Sequence, residues 1–182
     1  MRPDTLPSME IDGFVPLDEA IPEGLDPDAI ARAKASALRM LRARDRTPAG
    51  LADRLRKKGI DEPVIAHVIA RLEAVGLLDE RATAGRIVRT ELRKAPASER
   101  LLKMKLRREG VTDAVASEVV AEELAAVDLT EAVEEEARRW LQRRPGLDAE
   151  TAKRRLAGRL ARRGFGGDVV WGVVNRVVGE RG

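Results

Sequence analysis

From residue 27 onward, apolar residues recur at the spacing of amphipathic helices, and capping residues separate the runs. This pattern predicts nine helices, at 27–44, 48–58, 62–75, 79–94, 98–109, 113–127, 131–144, 149–163 and 168–178. A glycine, which readily adopts a left-handed backbone, follows four of the expected helix ends: Gly59, Gly76, Gly110 and Gly164. Side-chain oxygens that can cap helix starts come from Thr47, Ser98, Thr130 and Asp148.

The predicted helices form three copies of one unit. Gly59, Gly110 and Gly164 stand at nearly equal intervals along the chain, and a leucine stands four and eight residues before each of them. An apolar residue stands one, five, nine and ten residues after each glycine. The leucines form a stripe on one short helix, and the positions at five, nine and ten form the inward face of the next. We therefore expect an all-α fold of three tandem three-helix repeats, forming an elongated, curved, modular body.

Proline and acidic residues set the N-terminal part of the chain apart. Residues 1–25 contain four prolines and few regularly spaced apolar residues, which predicts a disordered acidic extension. Asp26-Pro27 then combines an N-cap with a first-turn proline. The predicted organisation is this extension at 1–25, followed by repeats at 26–78, 79–128 and 129–182.

Composition narrows the class of protein. Aromatic residues make up 2% of the 182 residues, and there is no cysteine, which excludes disulfides and thiolate metal sites. No apolar stretch approaches ~18 residues, so we expect no membrane span, and the N-terminus lacks the pattern of a signal peptide. No nucleophile–base arrangement is present, and His67 is the single histidine. The sequence predicts a cytoplasmic, non-enzymatic protein without a cofactor or metal, and a monomer.

Charge is distributed unevenly within the net charge of +3. Residues 1–30 hold one basic and eight acidic residues, a net charge of −7, so the remainder carries +10. A basic body suggests a polyanionic or acidic-surfaced partner, although much of the charge could simply solvate helix surfaces. The acidic extension is open to two interpretations. It could be a solubilising segment, or it could compete for the basic residues of the body.

Basic residues also repeat with the units. Positions five and two residues before each glycine are basic in all three copies, and further cations lie beside them. One interpretation is a solvated helix face whose cations suit the helix C-terminus. The other is a basic track that contacts DNA phosphates or acidic protein patches. The candidate track consists of Arg54, Lys57, Lys58, Lys103, Lys105, Arg107, Arg108, Arg155, Arg159, Arg162 and Arg163.

Aromatic side chains offer little for stacking on bases. Trp140, Phe165 and Trp171 lie at apolar positions of the pattern, and we expect all three in the core. Proteins that bind single strands by stacking expose such side chains. Base stacking is therefore a poor candidate function.

Several motifs give the chain a resemblance to the RecX family over roughly residues 31–178. They are Ala35-Ser36-Ala37-Leu38 with Leu41, the run from Ala49 to Leu55, Lys58-Gly59, Val64-Ile65, Gly76-Leu77-Leu78-Asp79-Glu80 and Arg162-Arg163-Gly164-Phe165. The chain departs from the family at Thr83, where an aromatic residue is usual, and at Gly50, where glutamate is common.

The resemblance implies a partner and a role. RecX-like proteins are regulators of homologous recombination, DNA repair and the SOS response. They bind the RecA recombinase filament on single-stranded DNA and inhibit strand exchange and ATP turnover. Two alternatives remain at this point: a direct DNA-binding helical regulator, since three-helix units can present a recognition helix, and a helical scaffold with a purely protein partner.

Overall fold

The computed structural model describes residues 21–180, and over that range it contains nine α-helices and no strand. The helices are α1 Pro27–Ala43, α2 Pro48–Arg56, α3 Glu62–Ala74, α4 Glu80–Lys94, α5 Glu99–Arg108, α6 Asp113–Ala125, α7 Leu129–Gln142, α8 Ala149–Arg162 and α9 Gly167–Gly179. The all-α prediction is confirmed. Most of the predicted acidic extension, residues 1–20, lies outside the described residues.

Local capping chemistry fixes where the helices begin and end. The side chains of Thr47, Ser98 and Asp148 accept hydrogen bonds from backbone N–H groups three residues later, as predicted. The prediction of Thr130 as a cap is wrong. Asp128 accepts the Glu131 N–H at 3.0 Å, and α7 therefore starts at Leu129. The four predicted glycines follow helix ends with φ between +71° and +87°.

Three separate apolar clusters form the core, one for each helix triplet. They comprise residues from Ile30 to Leu78, from Ala84 to Val120, and from Val133 to Val178. Each cluster is centred on the leucine stripe of the middle helix, whose six leucines are at most 2% exposed. We call α1–α3 unit 1, α4–α6 unit 2 and α7–α9 unit 3.

The last helix departs from the predicted inward face. Trp140 and Phe165 are buried as predicted, but Trp171 is 51% exposed and Val169 is 48% exposed. The buried stripe of α9 runs through Val170, Val173, Val174 and Val177. One residue along a helix is a rotation of about 100°, so Val169 and Trp171 flank that stripe on opposite sides. The expectation that Trp171 is a core residue is therefore wrong.

Two further properties of residues 21–180 limit the possible classes of function. No helix there is both long and apolar enough to cross a membrane. No group of three or more His, Asp or Glu residues in that range is arranged to hold a metal ion.

Candidate anion-binding cleft between the first two units

The units meet at two joints that share one arrangement of helix ends. At the first joint the hydroxyl of Thr47, the N-cap of α2, donates a hydrogen bond to the carbonyl oxygen of Glu109, the C-cap of α5. At the second joint the N–H of Ser98, the N-cap of α5, donates to the carbonyl oxygen of Arg163 at 3.0 Å. In each joint the C-terminal end of a middle helix meets the N-terminal end of the preceding middle helix, so opposite dipole ends face each other.

Glycine is required where these helix ends touch. A Cβ on Gly110 would lie 2.7 Å from the Cβ of Ala49, and one on Gly164 would lie 2.9 Å from the Cβ of Leu101. Both glycines also have positive φ, at +80° and +87°. Gly59 has the same kind of φ, but a Cβ there would meet nothing within 4 Å. The repeated glycine thus ends a helix in every unit and closes a joint in units 2 and 3.

A buried carboxylate balances the charge of the second joint. Glu91, which is 5% exposed, forms ion pairs with Arg163 at 2.5 Å, Lys105 at 2.7 Å and Lys94 at 3.3 Å. Burial alone would raise the pKa of Glu91, but the hydrogen bonds from Lys105, Arg163 and Lys94 outweigh it and lower that pKa to about 2. Arg163 also donates to the carbonyl oxygens of Ala95 and Pro96, at 2.6 and 2.9 Å.

The first joint has no such buried carboxylate, and it contains an arginine, Arg46, where the second joint has an alanine. Two ion pairs cross it, Arg44–Glu109 at 3.0 Å and Arg86–Asp45 at 2.6 Å. Arg46 lies behind them, and its buried Nε has no hydrogen-bond partner. Burial lowers the pKa of Arg46, and the neighbouring positive charges of Arg54 and Arg44 lower it further.

A cleft of about 410 Å³ opens at this joint. Its carboxylates are already engaged, since Asp53 pairs with Arg56 at 2.5 Å and Glu109 pairs with Arg44. Among the described residues, no carboxylate lies within ion-pair distance of four of the cations that line the cleft, namely Arg46, Arg54, Lys57 and Arg108. This surface has a surplus of guanidinium groups from two units and is suited to an anion.

Comparison with known proteins identifies the family. A model of the first three-helix domain of RecX matches residues 33–72, which span most of unit 1. The regulatory protein RecX of Mycobacterium sp. (strain KMS) is 42% identical over 161 residues, covering 86% of this chain and 87% of the relative. The chain belongs to the RecX family. RecX of Streptomyces lividans is 34% identical over 155 residues, covering 85% of this chain and 82% of that relative.

Solved structures show the same fold. The crystal structure of RecX from Lactobacillus salivarius superposes with a TM-score of 0.66 at 22% identity, covering 82% of this chain and 97% of that one. A second crystal structure of a regulatory protein RecX gives the same TM-score at 19% identity, covering 82% of this chain and 72% of that one.

The predicted basic track divides into groups with different surroundings. Arg54, Lys57, Arg107 and Arg108 line the cleft, although Arg107 also pairs with Asp113 at 2.5 Å. Four others pair within or between units: Lys103 with Glu99, Arg159 with Glu136, and Lys105 and Arg163 with Glu91. Three are exposed and do not line the cleft: Lys58, Arg155 and Arg162. Contact between any of them and DNA or a filament stays a prediction.

Two residues of the cleft were missed by sequence reasoning. Arg44 and Arg46 lie in the short connection between α1 and α2, and neither recurs as a basic residue at the corresponding place in unit 2. A search for recurring cations therefore passes over them. Their proximity to the cap residue Thr47 was the available signal, because a helix start is often a point of contact with other elements.

Proposed function

We propose that this RecX-family chain binds the RecA filament on single-stranded DNA and inhibits its recombinase and ATPase activities, which would modulate homologous recombination and DNA repair. The observation that supports this most directly is the surplus of unpaired cations at the first joint. A nucleoprotein filament carries a dense array of phosphates, and cations that lack internal partners are available to contact them.

The modular body suits an elongated target. Each unit has its own apolar core, and the units are linked through small contacts at the ends of their middle helices. A chain of this construction can lie along a filament and contact it at several points. Each contact then raises the effective concentration of the next one.

The first test is the rate of ATP hydrolysis by the cognate RecA on single-stranded DNA as this protein is added. We expect inhibition at amounts well below one molecule per RecA subunit. No inhibition, together with intact filaments and no co-sedimentation of the protein, would contradict the proposal.

A charge reversal in the cleft tests where the inhibition arises. Arg54→Glu should weaken inhibition at least tenfold, because it places a negative charge beside the expected phosphate contacts. Arg154→Glu is the matched control, since Arg154 is exposed on α8 and lies outside the cleft. Equal inhibition by the two variants would show that the cleft does not contact the filament.

The same cations support a second candidate, a regulator that binds DNA directly. Binding to naked DNA that depends on base sequence, with RecA activity unchanged, would favour it. In either case a phosphate-contacting surface should show a steep dependence on salt, with a log–log slope of about −0.7 to −0.9 for each phosphate neutralised.

A further inference from the structure

We propose that the first joint is an anion-binding site that holds a phosphodiester group between Arg46 and Arg54 of unit 1 and Arg108 of unit 2. The bound phosphate supplies the negative charge that Glu91 supplies in the second joint. This inference deepens the proposed function and rests on it for the source of the phosphate, which is single-stranded DNA in the filament.

The two joints serve as internal controls for each other. When units 1 and 2 are aligned on their repeated glycines, Gly59 and Gly110, Met40 takes the place of Glu91. The same alignment puts Arg46 in the place of Ala97, whose side chain is fully buried. The first joint therefore keeps the end-to-end arrangement of the middle helices, but it has no counterpart of the Glu91 carboxylate and has a guanidinium in place of a buried methyl group.

These exchanges leave a charge that the fold does not balance. A buried donor without a partner is destabilising, and Arg46 has one in its Nε–H group. The positive charges of Arg54 and Arg44 act on Arg46 in the same unfavourable direction, and the negative charge of Glu109 opposes them with a smaller effect. An anion in the cleft would offset these positive charges.

Guanidinium groups favour a phosphate as that anion. Each presents a planar fork of donors that matches two oxygens of one phosphate group, and Arg46, Arg54 and Arg108 approach the cleft from two units. A second cleft of about 530 Å³ adjoins the first and shares Arg44, Arg108 and Glu109 with it, but Asp45, Glu91 and Glu109 already pair with its other cations. Arg108 pairs with no carboxylate among the described residues and lies where the two clefts meet, so a nucleic-acid backbone that passes from one cleft to the other would run over it, and this favours a nucleic acid over an isolated acidic side chain.

A phosphate held from both sides would also fix unit 1 against unit 2. In the absence of the anion, the ion pairs Arg44–Glu109 and Arg86–Asp45 cross the joint, while Arg46, Arg54 and Arg108 have no carboxylate partner among the described residues. With the anion bound, the first joint acquires the charge balance of the second. Binding of a single strand should therefore stiffen the body between its first two units.

The experiment measures the binding of a fluorescein-labelled oligo(dT) of 15 nucleotides by fluorescence anisotropy over a range of salt concentrations. Arg46→Ala is the test variant, because it reproduces the alanine of the second joint and should fold. Arg154→Ala is the matched control. We expect Arg46→Ala to bind at least tenfold more weakly, with a salt slope reduced by about one, and Arg154→Ala to stay within twofold of the parent chain. Circular dichroism checks that both variants are folded.

Three results distinguish the site from the function. Equal affinity of Arg46→Ala and the parent chain overturns the anion site. If the parent chain binds no oligo(dT) but inhibits RecA, the anion site is again wrong and the proposed function stands. If Arg46→Ala loses oligo(dT) binding while the parent chain fails to inhibit RecA, the anion site is supported and the proposed function is wrong.

Discussion

Replacing Glu91 by glutamine should destabilise the second joint by about 3 kcal/mol at pH 7. The carboxylate is 5% exposed and its pKa is lowered from 4.5 to about 2. At ~1.4 kcal/mol per pKa unit, this shift corresponds to about 3 kcal/mol of stabilisation by the ionised form. Glutamine keeps the size of the side chain but leaves Arg163 and Lys105 without their counter-charge, which is costly in a buried site.

The effect should depend on pH with a defined sign. Because the pKa of Glu91 is lower in the folded state than in the unfolded state, its stabilisation is present above pH 4.5 and is lost as the pH falls toward 2. At pH 3 about two fifths of the stabilisation should remain. The difference between the parent chain and Glu91→Gln should shrink accordingly as the pH falls from 6 to 3.

Urea unfolding is the appropriate assay, followed by circular dichroism for all helices and by tryptophan fluorescence for unit 3, which contains Trp140 and Trp171. With a slope of ~1.5–3 kcal/mol per molar urea, the midpoint should fall by about 1–2 M. In Glu91→Gln, tryptophan fluorescence should show that unit 3 unfolds at a different urea concentration from the rest of the chain. The reason is that Glu91 on α4 joins unit 2 to Arg163 of unit 3.

Glu118→Gln is the control, since Glu118 pairs with Arg81 at 2.6 Å on an exposed surface and should contribute little. Two results would refute the reasoning about Glu91. One is a midpoint shift no larger than that of the control. The other is a difference from the parent chain that stays constant between pH 6 and pH 3.

Three further predictions test other parts of the structure. Gly164→Ala should lower the free energy of unfolding by about 3 kcal/mol, because its Cβ would overlap Leu101 of the preceding unit and its backbone is left-handed. Gly59→Ala should lower the free energy of unfolding by only about 1–2 kcal/mol, because the left-handed backbone is its single source of strain. Urea unfolding measures both values. In the same assay, Trp140→Ala should lower the free energy of unfolding by about 3–5 kcal/mol, because Trp140 is buried. Trp171→Ala should lower it by about 1 kcal/mol or less, because Trp171 is exposed. Removing residues 1–20 should tighten oligo(dT) binding if the acidic segment competes for the cleft, and unchanged affinity would exclude competition.

Helix positions could be predicted from the sequence because their signals are local. A proline or capping side chain at the start and a glycine after the end act within one turn of the residues they affect. The error at Thr130 shows the limit of this approach. Asp128 and Thr130 are two residues apart and both can cap a helix, and the pattern alone did not choose between them.

The face that a helix buries was harder to predict at the end of the chain. Trp171 is large and apolar, which favoured a core position. The valine stripe of α9 already fills the space between α7 and α8, so the tryptophan is left at its edge. Burial here was decided by competition among apolar residues for one face, and hydrophobicity by itself does not resolve such a competition.

The candidate cleft depends on contacts between residues far apart in the chain, such as Thr47 with Glu109. Recurrence in the sequence located Arg54 and Arg108, but it also selected Lys105, and Arg163 was added as a cation beside the recurring positions. The charges of Lys105 and Arg163 are used inside the second joint. The distinction between the two pairs rests on Glu91, an acidic residue of α4 that pairs with cations of α5 and of the end of α8 only in the folded chain.

The two joints share an arrangement of helix ends but differ in the charges they enclose, which implies different roles within the body. The second joint encloses Glu91 and Arg163, whose charges balance each other without a ligand and link units 2 and 3. The first joint places Arg46 where Ala97 would suffice for packing, and this is unfavourable in the free protein. Residues that lower stability in the absence of a ligand are typical of binding sites, because function and stability then require different side chains. On this reasoning the first joint is the part of the molecule that responds to its partner, and the second is the support from which it acts.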